Sequence, residues 1–149
     1  MTAPRWLSDD EQQTWRSLLV VLTRLDEALD RQLQRDAGMP HAYYMILVML
    51  SEADGRSLRM SDLSAMTNYS QSRLSHAAAR LEERGWIRRE RSPADKRGSV
   101  AVLTDAGFAA LAEAAPGHVE EVRRRVFDPL TGDEAGRLHA ICEKILAAL

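Results

Sequence analysis

The sequence "YSQSRLSHAAARLEERG", residues 69–85, combines small polar side chains with the three- and four-residue apolar spacing of a helix. At about 100° per residue, one face is an apolar stripe, and the opposite face is polar near its N-terminus and basic further along. The stripe contains Leu74, Ala77, Ala78 and Leu81, and the opposite face contains Ser72, Ser75, His76, Ala79 and Arg80. Exposed hydroxyl and imidazole groups can hydrogen-bond to base edges or phosphates, and the free amides at a helix start attract phosphate. This pattern predicts a helix with a nucleic-acid-binding face.

A cationic loop, "RSPADKRGS" at residues 91–99, follows this helix. A turn accounts for its proline and glycine, but a turn needs neither Lys96 nor Arg97. Residues 56–97 contain ten basic and five acidic side chains and so carry a charge of +5, whereas the whole chain carries -2. The rest of the chain is therefore acidic. A cationic surface on an acidic body favours binding to a polyanion.

Residues that could support catalysis or metal binding are scattered along the sequence. There is no glycine-rich phosphate loop, no nucleophile elbow and no close grouping of histidine, cysteine and glutamate with metal-ligand spacing. The scattered side chains are those of the four histidines, His41, His76, His118 and His139, and of the single cysteine, Cys142. The sequence therefore predicts a protein that is not an enzyme and that holds neither a metal ion nor a cofactor.

Length and composition limit the class of protein. A chain of 149 residues suits one domain, and 45% hydrophobic with 28% charged residues is typical of a soluble globular protein. The longest apolar run, residues 43–50, is much shorter than the roughly 20 residues that span a bilayer, and no secretory stretch is recognised. A single cysteine also excludes an internal disulfide framework. We expect a cytoplasmic location without membrane contact.

Helix caps and apolar spacing predict the elements that must position the polar face. Ser8 and Glu11 have the pattern of a capping box, and apolar residues then recur until Gly38, which predicts a long N-terminal helix. A second helix, at about 40–53, is apolar on nearly all sides and is expected to form the buried centre. Two short helices, about 61–66 and 71–84, and two strands, about 86–91 and 100–103, complete the middle of the chain.

The C-terminal third predicts two further helices. Thr104 can cap a helix extending to about Phe127, which Pro116 and Gly117 are expected to bend or interrupt. Thr131 opens a final helix through a second capping box. Its apolar stripe contains Leu138, Ile141, Cys142, Ile145 and Leu149. The flanking helices could pack on the middle of their own chain or on a second copy, and we expect a C2 homodimer.

Two short helices in tight connection, the second with a polar outer face, describe a helix-turn-helix. The basic hairpin that follows makes this a winged helix. We therefore expect a mainly α fold with a small β-hairpin wing, in which a winged helix-turn-helix is flanked by N- and C-terminal dimerisation helices. The expected function is binding to double-stranded DNA. The alternative is a winged-helix module that docks on another protein, which would not need Lys96 and Arg97 at its wing tip.

Residues 60–107, "MSDLSAMTNYSQSRLSHAAARLEERGWIRRERSPADKRGSVAVLTDAG", resemble the MarR-type transcriptional regulators. The most specific parts are "RLEERGWIRR" closing the second short helix, "DKR" in the hairpin and "LTDAG" before the next helix. The resemblance implies one domain over residues 1–149, with a DNA-binding lobe at about 40–103 and a dimerisation lobe at about 8–37 and 104–149. It also implies a homodimeric repressor that binds a pseudo-palindromic operator and is released by a small-molecule effector.

By the same resemblance, the recognition helix and the wing supply the DNA contacts. Arg97 would enter the minor groove beside Lys96, with Asp95 holding the wing through an arginine. Many members carry arginine where this sequence has His76, a shorter side chain whose charge varies with pH. The recognition-helix contacts are expected at Ser70, Gln71, Ser72, Arg73, Ser75 and His76.

Further side chains are candidates for contacts to the DNA backbone. Arg59 and Ser61 precede and begin the first short helix, where both could reach a phosphate. Trp86 is expected to pack at the base of the wing. The remaining cations, expected to face phosphate or solvent, are Arg84, Arg88, Arg89 and Arg91.

The resemblance also implies an effector pocket where the dimerisation helices meet the DNA-binding lobe. Trp15, His41 and Tyr44 are its candidate lining residues. Cys142 lies on an apolar stripe, which is typical of an inert packing residue, and a lone His118 is typically structural.

Overall fold

The structure, a computed structural model, describes residues 3–67, 69–94 and 98–149. Its helices are α1 (Asp9–Ala37), α2 (His41–Glu52), α3 (Met60–Thr67), α4 (Gln71–Glu83), α5 (Asp105–Val122) and α6 (Gly132–Leu146). Its strands are β1 (Ser57–Arg59), β2 (Ile87–Arg91) and β3 (Ser99–Leu103). A 3₁₀ turn at Asp54–Arg56 and a π-helical segment at Arg123–Phe127 complete the elements. This order confirms the predicted mainly α winged helix-turn-helix fold.

Helix α1 begins and ends at its predicted caps. Ser8 Oγ accepts a hydrogen bond from the Glu11 backbone N–H (3.2 Å), and the Glu11 carboxylate accepts one from the Ser8 N–H (2.8 Å). At the other end, Gly38 adopts φ 61° and ψ 24° and donates its N–H to the Gln34 carbonyl. Glycine tolerates this left-handed conformation because it has no β-carbon.

Helix α2 lies at the centre of the core, as its continuous apolar sequence predicts. Ile46, Leu47 and Leu50 are completely buried, and α2 contacts α1, α3, α4, α5 and β3. Burying one such side chain stabilises the fold by about 1.5–3 kcal/mol. Other members of the same core include Leu33, Met39, Leu63, Leu74, Ala78, Leu81, Ile87, Ala101 and Leu103. The helix-turn-helix and the flanking helices α1 and α5 therefore share one core.

The strands form one antiparallel sheet in the order β1-β3-β2. Strands β2 and β3 are the predicted hairpin, in which Ile87 pairs with Leu103. Strand β1 is not predicted from the sequence, because three residues are too few to show an alternating pattern. Its Leu58 pairs with Ala101 and thereby makes β3 the central strand. The start of α3 is tied to the wing by this pairing.

The base of the wing is joined to α5 by a close backbone contact. Thr104 Oγ1 accepts a hydrogen bond from the Gly107 N–H (3.0 Å) and donates one to the Gly85 carbonyl (2.6 Å). The Thr104 N–H donates to the Trp86 carbonyl (3.0 Å). A β-carbon on Gly107 would overlap that same carbonyl oxygen and lie 2.8 Å from Leu103 Cδ1. The close approach of α5 to the wing therefore requires glycine at this position.

We expected Pro116 and Gly117 to bend or interrupt this helix; α5 continues through both residues and is not interrupted. The helix packs along α1 and α2, and this tertiary packing outweighs the local tendency of proline to break a helix. The regular helix ends instead at the π-helical segment. There the buried carboxylate of Glu121 accepts hydrogen bonds from Arg124 and Arg125.

Helix α6 starts at its predicted capping box but buries none of its residues against its own chain. Its apolar stripe is consequently exposed, with Ile141 53% exposed, and Cys142 is exposed rather than packed. A second exposed apolar group lies in and before the first half of α1 and contains Trp6, Leu7, Trp15, Leu19, Val20, Val21 and Leu22. Among the described helices, none is long and apolar enough to cross a membrane.

Candidate nucleic-acid interface

Helix α4 has the polar outer face predicted from the sequence. Ser70 caps the helix, because its Oγ accepts a hydrogen bond from the Arg73 backbone N–H (3.1 Å). Leu74, Ala78 and Leu81 are fully buried on the inner side and fix the rotation of the helix about its axis. The solvent-exposed side carries Gln71, Ser72, Ser75 and His76. Hydrogen-bonding groups on this side are open to a ligand from outside.

Tyr69 and Arg73 pair beside this face. The Arg73 guanidinium lies 4.2 Å from the centre of the Tyr69 ring, a cation–π geometry. Burial raises the pKa of Tyr69, and the charge of Arg73 opposes part of that rise. The Tyr69 carbonyl also accepts a hydrogen bond from the Ser64 hydroxyl (2.7 Å). Arg73, a predicted DNA contact, thus packs on Tyr69, whose carbonyl is hydrogen-bonded to Ser64 of α3.

A groove of about 380 Å³ lies between α4, the start of α3 and the wing strands. We call it the wing groove. Guanidinium groups and hydroxyls are donors that suit the oxygens of a phosphate backbone. Four predicted contact residues line it, namely Arg59, Ser61, Gln71 and Ser75, together with Met60, Arg89, Ser92, Gly98 and Ser99. The fold therefore brings Arg59 of β1, Ser61 of α3 and the outer face of α4 to one concave surface.

Strand β1 explains why Arg59 reaches the wing groove, because Arg59 pairs with Val100 of the wing. Ser92 and Ser99, also in the groove, are not predicted as site residues. The Ser92 N–H donates to the Gly98 carbonyl (2.9 Å) and closes the base of the hairpin loop. A signal for both serines was present in the sequence, since both lie within the cationic loop at residues 91–99.

The wing tip carries three predicted DNA contacts, Asp95, Lys96 and Arg97, which lie outside the described residues. The flanking strands are described up to Arg91 and from Ser99. The predicted pairing of Asp95 with an arginine and the minor-groove contact of Arg97 therefore stay predictions.

The side chain of Arg84 is directed to the junction between α1 and the wing. Its Nη1 donates to the Gly38 carbonyl (3.0 Å), and its guanidinium lies 4.8 Å from the centre of the Trp86 ring. We expected Arg84 to face phosphate or solvent; it is solvent-exposed and also makes a hydrogen bond to Gly38, 46 residues earlier in the sequence. Arg88 pairs with Glu90 on the same strand (2.6 Å). Neither arginine lines the wing groove.

The candidate effector residues His41 and Tyr44 meet at His118, where α1, α2 and α5 pack together. The His118 ring centre lies 4.3 Å from that of Tyr44 and 5.4 Å from that of His41. His41 Nδ1 lies 3.0 Å from Asp26 Oδ1. Trp15 is not part of this group, because it precedes Asp26 by eleven residues, about 16 Å along α1. It lines a separate cleft of about 280 Å³ near the N-terminus.

His118 is a buried histidine with a structural contact to α1. Its Nδ1 lies 3.3 Å from Gln32 Oε1, so a proton on Nδ1 satisfies both groups. Burial lowers the pKa of His118, and nearby His41 lowers it further. Because the folded state disfavours the charged ring, this histidine reduces stability as the pH falls below its ordinary pKa of about 6.5. No group of three or more metal-ligating side chains occurs within residues 3–67, 69–94 and 98–149.

The chain matches a family model described as MarR family over residues 37–98. It also matches the crystal structure of Sco3205, a MarR family transcriptional regulator from Streptomyces coelicolor, in complex with DNA. The two chains are 52% identical and superimpose with a TM-score of 0.94, covering 99% of this chain and 92% of Sco3205. The chain belongs to the MarR family.

Two further MarR-type regulators show how far the similarity extends. AbsC from Streptomyces coelicolor is 41% identical with a TM-score of 0.90, over 97% of each chain. The transcriptional repressor MprA of Escherichia coli (strain K12) is 30% identical over 112 residues, or 75% of this chain. That match spans 63% of the length of MprA. MarR-family proteins are transcriptional regulators rather than enzymes, and this confirms the prediction that the protein is not an enzyme.

Proposed function

We propose that this MarR-family chain forms a homodimeric repressor, which binds a pseudo-palindromic operator in double-stranded DNA and is released by a small-molecule effector. The wing groove beside the exposed face of α4 carries the proposal, because it joins two arginines and several hydroxyls to a polar helix face. Sco3205, at 52% identity, binds DNA in its crystal structure. Access to chromosomal DNA implies a cytoplasmic location.

The proposed contacts divide into three classes. Arg59, Ser61 and Arg89 line the wing groove and would hold the phosphate backbone, which supplies affinity without sequence information. The exposed α4 side chains would enter the major groove and read base edges. Beyond them, the wing tip would reach the minor groove through Arg97 and Lys96, held by Asp95. The base-reading set is Gln71, Ser72, Ser75 and His76, with Ser70 and Arg73 at the start of the helix.

Exposed apolar surface supports the homodimer. Helix α6 is amphipathic yet buries nothing against its own chain, and the first half of α1 is also apolar and exposed. Isologous packing of these helices in two copies would cover both surfaces. Two recognition helices would then enter successive major grooves roughly 34 Å apart, which explains why a pseudo-palindromic operator is expected.

Release by an effector would act on the spacing of the two recognition helices. The dimer would exist with two such spacings, one that matches the operator and one that does not. A small molecule shifts the equilibrium between them only as far as its affinities for the two forms differ. The group around His118, where α1, α2 and α5 meet, is the proposed place for such coupling, with His41 and Tyr44 facing it. Trp15 stays a candidate only for the separate N-terminal cleft. Repression, rather than activation, is supported by the similarity to the repressor MprA.

Selection of bound fragments from random duplex DNA tests the proposed function. We expect the purified protein to enrich one pseudo-palindromic motif with half-sites about one helical turn apart. Affinity for that motif should fall steeply as salt concentration rises. If no motif is enriched and binding to duplex DNA hardly depends on salt, the protein-docking alternative is favoured instead.

Replacing Arg59 with alanine is expected to weaken binding to the selected operator. One lost phosphate contact per subunit removes about 0.9 from the magnitude of the slope of log K against log salt, or about 1.8 per dimer. The measurement is fluorescence anisotropy with labelled operator at several salt concentrations. Arg88→Ala is the matched control, because it removes the same charge from a side chain outside the wing groove. Equal slopes for both variants would contradict the phosphate contact.

A further inference from the structure

One bidentate contact joins the recognition helix to the outer strand of the wing. Glu82 Oε1 accepts a hydrogen bond from the Arg89 backbone N–H (2.9 Å), and Glu82 Oε2 accepts one from Arg89 Nε (2.7 Å). The side chains of Glu82 and Arg89 are 31% and 33% exposed, respectively. Because one bond holds the main chain and the other the side chain, the contact restricts both the strand and its arginine.

Glu82 lies between the outer face of α4 and the edge strand β2 of the wing. It follows Ser75 by seven residues, two helical turns, and so lies on the same side of α4 as a residue of the wing groove. Strand β2 is the edge of the sheet, with its other side paired to β3. The Arg89 N–H is directed away from β3 and donates to Glu82, so Glu82 satisfies a backbone donor at the open edge of β2.

Arg89 itself lines the wing groove with Arg59 and Ser75. Glu82 accepts a hydrogen bond from Arg89 Nε. The other N–H donors of the guanidinium are on its two terminal nitrogens, Nη1 and Nη2. A guanidinium fixed through Nε presents those nitrogens in a constant direction, and fewer rotamers must be frozen when it binds an anion.

We propose that Glu82 is a positioning residue for DNA binding: it orients Arg89 towards the phosphate backbone and holds the wing at a constant distance from the recognition helix. This inference rests on the proposed function. It opposes the expectation from simple electrostatics, in which a carboxylate beside a polyanion repels it and its removal strengthens binding.

Helix α4 also provides a matched control. Glu83, the next residue, pairs with Arg80 (2.9 Å) at the surface, with side chains 62% and 53% exposed. Neither residue lines the wing groove. Glu83→Gln therefore removes the same charge from the same helix turn without releasing an arginine of the groove.

The test compares Glu82→Gln and Glu83→Gln in full-length protein, with the selected operator and an unrelated duplex across salt concentrations. We expect Glu82→Gln to weaken operator binding about tenfold and to lower the magnitude of the log–log salt slope, because Arg89 no longer meets its phosphate. Glu83→Gln should bind the operator as tightly as the wild type or more tightly. A purely structural defect would lower the active fraction but leave the slope unchanged, which would overturn the proposal. Equal behaviour of the two variants would also overturn it.

Arg89→Lys provides a second route that does not depend on how well Glu82→Gln folds. It retains the positive charge but loses the Nε donor, so we expect a similar loss of operator affinity. Combined with Glu82→Gln, it should add little further loss, because both changes disrupt one unit. Wild-type-like binding by Arg89→Lys would overturn the proposal. Failure of the wild-type protein to enrich any operator would instead overturn the proposed function itself.

Discussion

Replacing Gly107 with alanine is expected to lower the free energy of unfolding by about 3 kcal/mol. The added methyl group would overlap the Trp86 carbonyl oxygen and lie 2.8 Å from Leu103 Cδ1. The Trp86 carbonyl also accepts the Thr104 N–H, so neither it nor the start of α5 can retreat without losing a hydrogen bond. The clash therefore strains the junction between the wing and α5.

Thermal and urea denaturation at one fixed protein concentration measure this effect. For a chain of this size, we expect the midpoint temperature to fall by about 6–12 °C. Gly136→Ala is the control, because nothing lies within 4 Å of a β-carbon at Gly136 in α6. That change should be neutral or stabilise by up to about 1 kcal/mol, since alanine favours a helix interior. Equal stability of the two variants would contradict the required close approach at Gly107.

Replacing Ile141 with aspartate is expected to dissociate the proposed dimer. Ile141 lies in the exposed apolar stripe of α6, and an aspartate there would carry a charge into an apolar interface. We expect the dimer dissociation constant to rise at least about a hundredfold, equivalent to about 2.7 kcal/mol. Operator affinity should fall with it, because two linked recognition helices bind far more tightly than one. Because α6 buries no residue in its own chain, the helical fold of the monomer should persist.

Sedimentation equilibrium gives the dissociation constant, and far-UV circular dichroism reports whether the monomer remains helical. Ala140→Asp is the control, because this exposed residue lies on the opposite side of α6 from the apolar stripe. It should leave the dimer intact at concentrations at which Ile141→Asp is monomeric. Dimers of unchanged stability in both variants would place the interface elsewhere.

Signals within a few residues made most of the fold predictable. The capping boxes at Ser8 and Thr131, the end of α1 at Gly38 and the apolar stripe of α4 all appear in the structure as predicted. The same local patterns place Ser72 and Ser75 on the exposed face of α4, where the structure has them. Local patterns failed for the three-residue strand β1 and for the continuity of α5 through Pro116, because pairing and packing with distant segments determine both.

The sequence by itself determined the helix order, the polar recognition helix, the basic loop and the resemblance to MarR-type regulators. These features depend on residue type and on spacings of three to seven residues, which a single helix or turn expresses. Only the tertiary structure decided which cations line the wing groove. It turned Arg84 towards Gly38 and fixed Arg89 to Glu82, because these contacts join segments whose proximity depends on packing around α2. Two arginines five residues apart thus have different environments that no local pattern distinguishes.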